Sequence, residues 1–269
     1  MRIYNNVNSV NIQNTLNTTN TNMQKSLEKL SSGLRINRAA DDAAGLSVSE
    51  GLRSQIRGSQ MASRNANDAL AMLQITESGT QQITDSLQRM RELAVQSSNG
   101  TYTNTDRGYI QQEYAALASE INRIASATTY NGIEMLTGTT AFSFQVSAAK
   151  DGTSSTISFT SINLASGLSF GGVSGQSAAQ SAVGQIDTLL ASVLSLRSTV
   201  GSTMNRLSTT VSNLGDMVTN LTDAESRIRD TNFASETMQF TRNQILTQSA
   251  QSMLSQANQL PSGVLGLLR

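Results

Sequence analysis

The chain has 269 residues and a mass of 28.6 kDa, with no Cys, His or Trp, one Pro (Pro261), and 38 Ser and 29 Thr that make up about a quarter of it. These absences exclude disulfides, thiolate nucleophiles, His-containing catalytic triads and imidazole-ligated zinc. Sixteen Arg and three Lys balance nineteen acidic residues, so no net field draws the chain to nucleic acid or to an acidic membrane.

The first residues, Met1-Arg-Ile-Tyr-Asn-Asn, lack the charged-then-apolar pattern of a secretory signal. No run reaches the ~18 apolar residues of a membrane span. The missing Cys fits a reducing cytosol, and fits equally a chain that crosses an export channel unfolded. Aromatic residues are only 4% of the chain, so burial must come from aliphatic stripes. Near the N-terminus Leu16, Met23, Leu27, Leu30 and Leu34 step by seven, four, three and four, which predicts one helical face. A second helix is predicted from about Ala44 to Ser98 on apolar pairs such as Leu52 and Ile56, Leu70 and Leu73, and Met90 and Leu93; Asn99-Gly100 supplies its stop. A third runs from about Thr105 to Ala127 with Ile110, Leu117, Ile121 and Ile124, Thr105 serving as N-cap and Asp106 opposing the helix dipole.

Asn131-Gly132 then signals a turn, and the texture changes. From Thr137 to Gly184 the charged residues are Lys150 and Asp151, and a period of two replaces the helical period. Phe142, Phe144 and Val146, then Ile157 and Phe159, predict paired strands at 141–147 and 155–164. Gly171-Gly172-Val173-Ser174-Gly175 reads as a surface loop. A long helix follows over 181–222, roughly 60 Å at ~1.5 Å per residue. Ile186, Leu189, Val193, Leu196, Val200, Met204, Leu207, Val211, Leu214, Val218 and Leu221 form a coiled-coil seam, with a step of four at Val200 to Met204 where three is due. Leu246, Ala250, Met253, Ala257, Leu260 and Val264 extend an apolar stripe toward the C-terminus. Apolar stripes near both ends imply that something covers them: other copies, or the two ends docked on each other.

Catalytic signals are weak. Ser26-x-x-Lys29 has the spacing of an acyl-transfer pair but lacks the supporting motifs, and reads as an ordinary exposed helix face. Asp41-Asp42 lacks the further acids of a metal loop and reads as an acidic corner near Arg35 and Arg38. No phosphate-cradling Gly-Lys loop is present. Glu225, Arg227, Arg229 and Asp230 read as a solvated charged face. The expectation is no enzyme, no metal and no cofactor.

The stretch Ser26-Leu-Glu-Lys-Leu-Ser-Ser-Gly-Leu-Arg-Ile-Asn-Arg-Ala-Ala-Asp-Asp-Ala-Ala-Gly-Leu46 resembles the N-terminal signature of bacterial flagellins. Matching segments are Arg64-Asn-Ala-Asn-Asp68, Gln88-Arg-Met-Arg-Glu-Leu-Ala-Val-Gln96, Asn131-Gly132, Leu221-Thr-Asp-Ala-Glu-Ser-Arg-Ile-Arg-Asp230 and the terminal Leu-Leu-Arg269. The resemblance covers 1–137 and 181–269, and the short middle makes it similar to a minimal flagellin without outer domains. It implies a mainly α fold of long antiparallel helices forming a discontinuous coiled-coil rod, with a small β-hairpin region in the middle of the chain. The expected parts are a terminal coiled-coil domain of 1–43 with 224–269, a helical rod domain of 44–136 with 181–223, and the hairpin and Ser/Thr/Gly-rich loop at 137–180.

The resemblance further implies a structural subunit that is exported unfolded, polymerises through its terminal helices and serves swimming motility as part of the extracellular flagellum. A head-to-tail contact that does not close into a ring propagates as a helix. Implied partners are other copies, filament cap and hook-junction proteins, and an export chaperone docking on Leu246 to Leu268, with no nucleic acid and no membrane. Arg89, Leu93, Ile110 and Glu113 match positions with which flagellins dock the host Toll-like receptor 5; packing within the rod is the alternative role for Leu93. Ser/Thr within 153–181 are candidate O-glycosylation sites, which an intact mass equal to the sequence mass would refute. The alternatives are a hook-filament junction protein, or a secreted coiled-coil adhesin or effector.

Overall fold

The structure, a computed structural model, describes residues 6–149, 155–163 and 171–267. It is mainly helical: α1 (Val7–Ser32), α2 (Ala43–Ser98), α3 (Asn104–Ala127), α4 (Gln176–Arg229) and α5 (Phe233–Leu267). Four short strands, β1 (Thr129–Tyr130), β2 (Ile133–Glu134), β3 (Ala141–Gln145) and β4 (Thr156–Thr160), lie between α3 and α4. The described residues divide into two compact units, one drawn from 1–54 and 220–269, the other from 55–219.

In the second unit α2 runs antiparallel to both α3 and α4. Arg91 meets Asp187 at 2.7 Å and Glu77 meets Arg197 at 3.7 Å across α2 and α4, while Arg89 meets Glu113 at 2.8 Å across α2 and α3. Leu73, Ile83, Leu87, Met90, Ile121, Ile186, Leu196 and Leu207 fill the space between these helices. On α4 the buried positions Ala179, Ala182, Ile186, Val193, Leu196, Val200, Thr203 and Leu207 step by three and four, with a step of seven at Ile186 to Val193 that half-buried Leu189 and Leu190 span. The irregular step expected at Met204 is therefore absent. Thr203 takes the core position, its hydroxyl donating to the Thr199 carbonyl at 2.8 Å, and Met204 sits half-buried beside it. Buried Thr76, Thr80 and Thr84 on α2 use the same back-bond to the preceding turn, so each hydroxyl enters the core with its hydrogen bond made.

The corner between α2 and α3 is built differently from the sequence expectation. The N-cap of α3 is Thr103, not Thr105; its side chain accepts from the Asp106 amide while Asp106 accepts from the Thr103 amide, a reciprocal capping box. These bonds hold the Asp106 carboxyl below its usual range, the Thr103 side chain contributing most. Behind the cap, buried Arg107 donates to the carbonyls of Ser97 and Asn99 at 2.9 Å, satisfying the end of α2 with a cation where the dipole favours one. Tyr114 is buried in the same core, and burial pushes its phenol up to about 12.

Asn131 and Gly132 both have positive φ (51° and 77°), forming the two-residue turn of the β1–β2 hairpin, with Thr129 opposite Glu134. The strands β3 and β4 pair antiparallel with Phe142 opposite Phe159, their rings stacked at 6.3 Å. They are shorter than the expected 141–147 and 155–164. The segment Gly171–Gly175 is not a surface loop throughout: Val173 is fully buried, its amide donating to Gln111 and its carbonyl accepting from Ser97. The long helix accordingly begins at Gln176 and extends to Arg229, past both expected ends.

Candidate assembly interface

The first unit contains the two terminal helices. They are antiparallel: the Asn6 amide donates to the Ala257 carbonyl at 2.9 Å, and Asn20 meets Thr247 further along. The residues of α5 turned toward α1 are Glu236, Phe240, Asn243, Thr247, Ala250, Leu254 and Ala257, in strict steps of four and three. On α1 the matching positions are Ile12, Leu16, Thr19, Met23, Ser26 and Leu30, with Thr19 and Ser26 the buried ones. This seam is narrow and partly polar. Small side chains let α1 and α5 bring their Cα atoms within 8 Å of each other along the pair. From Asn6 to Gln24, and from Asn243 to Leu267, neither helix carries a charged residue.

Further large aliphatic side chains lie outside this seam. Leu16, Met23 and Leu30 border the seam, but Leu27 is exposed and Leu34 lies beyond the end of α1. On α5, Ala250 and Ala257 enter the seam while Leu246 and Met253 point outward, together with Met238 and Ile245. Leu260 and Val264 fall among residues whose side chains are outside the described set. Thr237, Met238, Thr241, Arg242, Ile245 and Leu246 line an open depression of about 450 Å³ on this outer face. Because α5 carries apolar residues on both faces, sequence periodicity strings the two together.

Polar groups join the two chain reversals. Leu34 and Asp230 form a β-bridge, with the Arg35 amide donating to Arg229 at 2.6 Å and the Thr231 amide donating to Gly33 at 2.9 Å. The Arg35 guanidinium adds a bond to the Ile228 carbonyl at 2.6 Å. Glu50 pairs with Arg229 and with Arg53, each at 2.8 Å, and Arg53 reaches Glu225 at 3.5 Å. The Arg229 bond first, then that of Arg53, holds the Glu50 carboxyl below its usual value. The Glu225–Asp230 segment is thus divided, Arg227 remaining on a solvated face with Asp223 while Arg229 and Glu225 face partners.

The residues weighed for chemistry have structural places. Ser26 is buried in the seam, not on an exposed face. Asp41 accepts from the amides of Arg38 and Asn37 at 3.0 and 3.2 Å, which lowers its pKa, and Asp42 accepts from the Gly45 amide at 2.8 Å at the start of α2. Arg38 pairs with Glu28 instead. Among the described residues no group of three or more acidic side chains could hold a metal, and no helix is long and apolar enough to cross a membrane.

Of the receptor-matching set, Arg89 and Glu113 meet on the surface through two bonds of 2.8 and 2.9 Å, and Glu92 joins Arg89 at 2.9 Å. These bonds, Glu113 first, raise the Arg89 pKa. Leu93 and Ile110 are buried in the core. Within 153–181, Ser158, Thr160, Ser174, Ser177 and Ser181 are exposed, Ser155 and Ser161 are buried, and Ser166 and Ser169 are outside the described residues.

Comparison with known proteins agrees with this architecture. A family model of the bacterial flagellin N-terminal helical region matches residues 3–141, and one of the bacterial flagellin C-terminal helical region matches residues 183–268. The flagellar filament 33 kDa core protein of Treponema phagedenis is 43% identical over 266 residues, covering 92% of each chain. A flagellin of Halalkalibacterium halodurans is 43% identical over 250 residues, covering 91% of this chain and 92% of its own. The crystal structure of Bacillus cereus flagellin superimposes with a TM-score of 0.51 at 28% identity, covering 56% of this chain and 88% of that one. The chain belongs to the bacterial flagellin family, and is a structural subunit of the flagellar filament rather than an enzyme.

Proposed function

We propose that copies of this chain join through the outward faces of α1 and α5. The observation that carries this reading is the distribution of side chains on the terminal pair. Its internal seam fully buries Thr19, Ser26 and Ala257 and half-buries Ile12, Leu16, Met23, Leu30, Phe240, Thr247, Ala250 and Leu254, while Val7, Val10, Leu27, Ile245, Leu246 and Met253 face solvent. Burying a large aliphatic side chain contributes roughly 1.5–3 kcal/mol, so the exposed ones hold several kcal/mol of burial in reserve for a neighbour. The test is self-assembly of the full chain followed by sedimentation and electron microscopy. Unsubstituted protein forms filaments; Ile245→Asn with Leu246→Asn leaves a helical but soluble chain. Filaments of that variant at an unchanged critical concentration would overturn the reading.

The family supports a wider reading: export in an unfolded state, an extracellular flagellum, swimming motility, cap and hook-junction partners, and a chaperone engaging the 246–268 segment. For the host Toll-like receptor 5, the exposed Arg89–Glu113 pair is the part of the matching set available to a partner, with Leu93 and Ile110 supporting it from the core. Reporter cells bearing that receptor respond to the soluble chain, and Arg89→Ala weakens the response at least about tenfold. An unaltered dose-response curve would remove the receptor reading.

A further inference from the structure

With Cys absent, the ten methionines are the side chains of this chain that a two-electron oxidant attacks at sulfur. Their placement is uneven. Met72, Met90 and Met135 are buried in the core of the second unit. Among the described residues four are exposed by about half or more: Met238 at 67%, Met253 at 57%, and Met61 and Met217 at 49% each. The sulfurs of these four differ in a second respect. The Met61 sulfur accepts from the Arg64 guanidinium, and the Met217 sulfur accepts from the Ser59 hydroxyl at 3.7 Å. Among the described residues, the sulfurs of Met238 and Met253 accept no hydrogen bond, so their lone pairs are fully available to an electrophilic oxygen.

We propose that Met238 and Met253 are oxidation sites that switch the α5 outer face from apolar to polar. The oxidant class is a peroxide or hypohalous acid. With a peroxide, a sulfur lone pair attacks an oxygen, the O–O bond breaks, and the departing hydroxide takes the proton from the sulfur-bound oxygen, giving sulfoxide and water; with a hypohalous acid, the lone pair attacks the halogen, hydroxide leaves, and water displaces the halide from sulfur, losing its protons to give sulfoxide and halide. The product places a strong hydrogen-bond acceptor beside Ile245, Leu246 and the depression that Met238 lines. Arg242, one turn beyond Met238 on the same face, is a charged donor for a sulfoxide there, whereas the positions one turn either side of Met253 offer the neutral donors Ser249 and Gln256. A face carrying sulfoxides meets an apolar partner with unpaired polar groups and associates weakly. The buried methionines keep the second unit folded, so the effect falls on association and not on the fold.

This inference rests on the assembly reading above, and the experiment separates the two. Dilute full-length chain is treated with graded hydrogen peroxide, each methionine is scored by peptide mass, and assembly is measured by sedimentation before and after a methionine sulfoxide reductase. Sulfoxide forms at 238 and 253 ahead of 61 and 217, and the critical concentration rises on the order of tenfold. The reductase reverses the rise, Met238→Leu with Met253→Leu abolishes it, and Met61→Leu with Met217→Leu does not. Oxidation of 61 and 217 first, unchanged assembly of chains oxidised at 238 and 253, or equal sensitivity of the leucine pair would each overturn the proposal. Untreated Ile245→Asn with Leu246→Asn provides the separation. If that variant assembles normally, the assembly reading itself fails; if it does not assemble while peroxide has no effect, the oxidation proposal alone fails.

Discussion

Gly79 shows how tightly single residues are constrained in the second unit. A Cβ there would stand 2.5 Å from the Thr128 hydroxyl and 3.0 Å from its methyl group. Thr128 cannot easily turn away, because its hydroxyl and amide both donate to the Ile124 carbonyl where α3 ends. In an exposed helix Gly→Ala gains about 1 kcal/mol, but overpacking costs roughly 1–3, so Gly79→Ala is expected to lower stability by about 1 kcal/mol. Adding Thr128→Ala restores most of it, and denaturant midpoints of the two single variants and the double would show this coupling. Glu50 gives a pH-dependent case. Its folded pKa lies below the usual 4.5, so its contribution is complete above that value and is lost as pH falls through the folded one. Glu50→Gln is therefore less heat-stable than the unsubstituted chain near about pH 7, and the two melting temperatures converge as pH falls below the folded-state pKa. A gap of constant size across that range would show that Glu50 contributes no titrating stability.

At the scale of elements, the contrast lies between two helix pairings. The helices α2 and α4 are held apart by Leu, Ile and Met, and each core side chain contributes a full measure of burial. The α1·α5 pair fully buries Thr19, Ser26 and Ala257 and leaves its larger apolar side chains at most half-buried, so its helices gain less from each other. Local opening follows the same ranking. In dilute monomer, amides of α1 and α5 are expected to exchange at least about a hundredfold faster than those from Leu73 to Leu93 or from Ile186 to Leu207. Hydrogen exchange read by mass spectrometry measures this, and equal protection of the four helices would contradict it. The bridge between Leu34 and Asp230, with its flanking amide bonds, ties the two reversals, so α1 and α5 are expected to open together.

Across the whole molecule, the long helices and the β-hairpins were legible because their periods of 3.5 and two are strong and their stops, Asn99-Gly100 and Asn131-Gly132, are local. What was not legible depended on side chains whose character is ambiguous. A search for apolar steps selects Met204, yet Thr203 fills the core position because its hydroxyl finds the preceding turn. The same search strings Leu246, Ala250, Met253 and Ala257 into one stripe, whereas the structure divides them between an inner and an outer face. The cap by Arg107 had no sequence signal either, since its acceptors are backbone carbonyls eight and ten residues back. Buried Val173, likewise, was concealed by the glycines on either side of it.

The absence of charge from Asn6 to Gln24 and from Asn243 to Leu267 reaches beyond folding. A surface without ions has no Coulomb energy for dissolved salt to screen. Dilution of salt would therefore not loosen joints made by these stretches through any change in charge screening, and their response to brine would be that of apolar contacts alone.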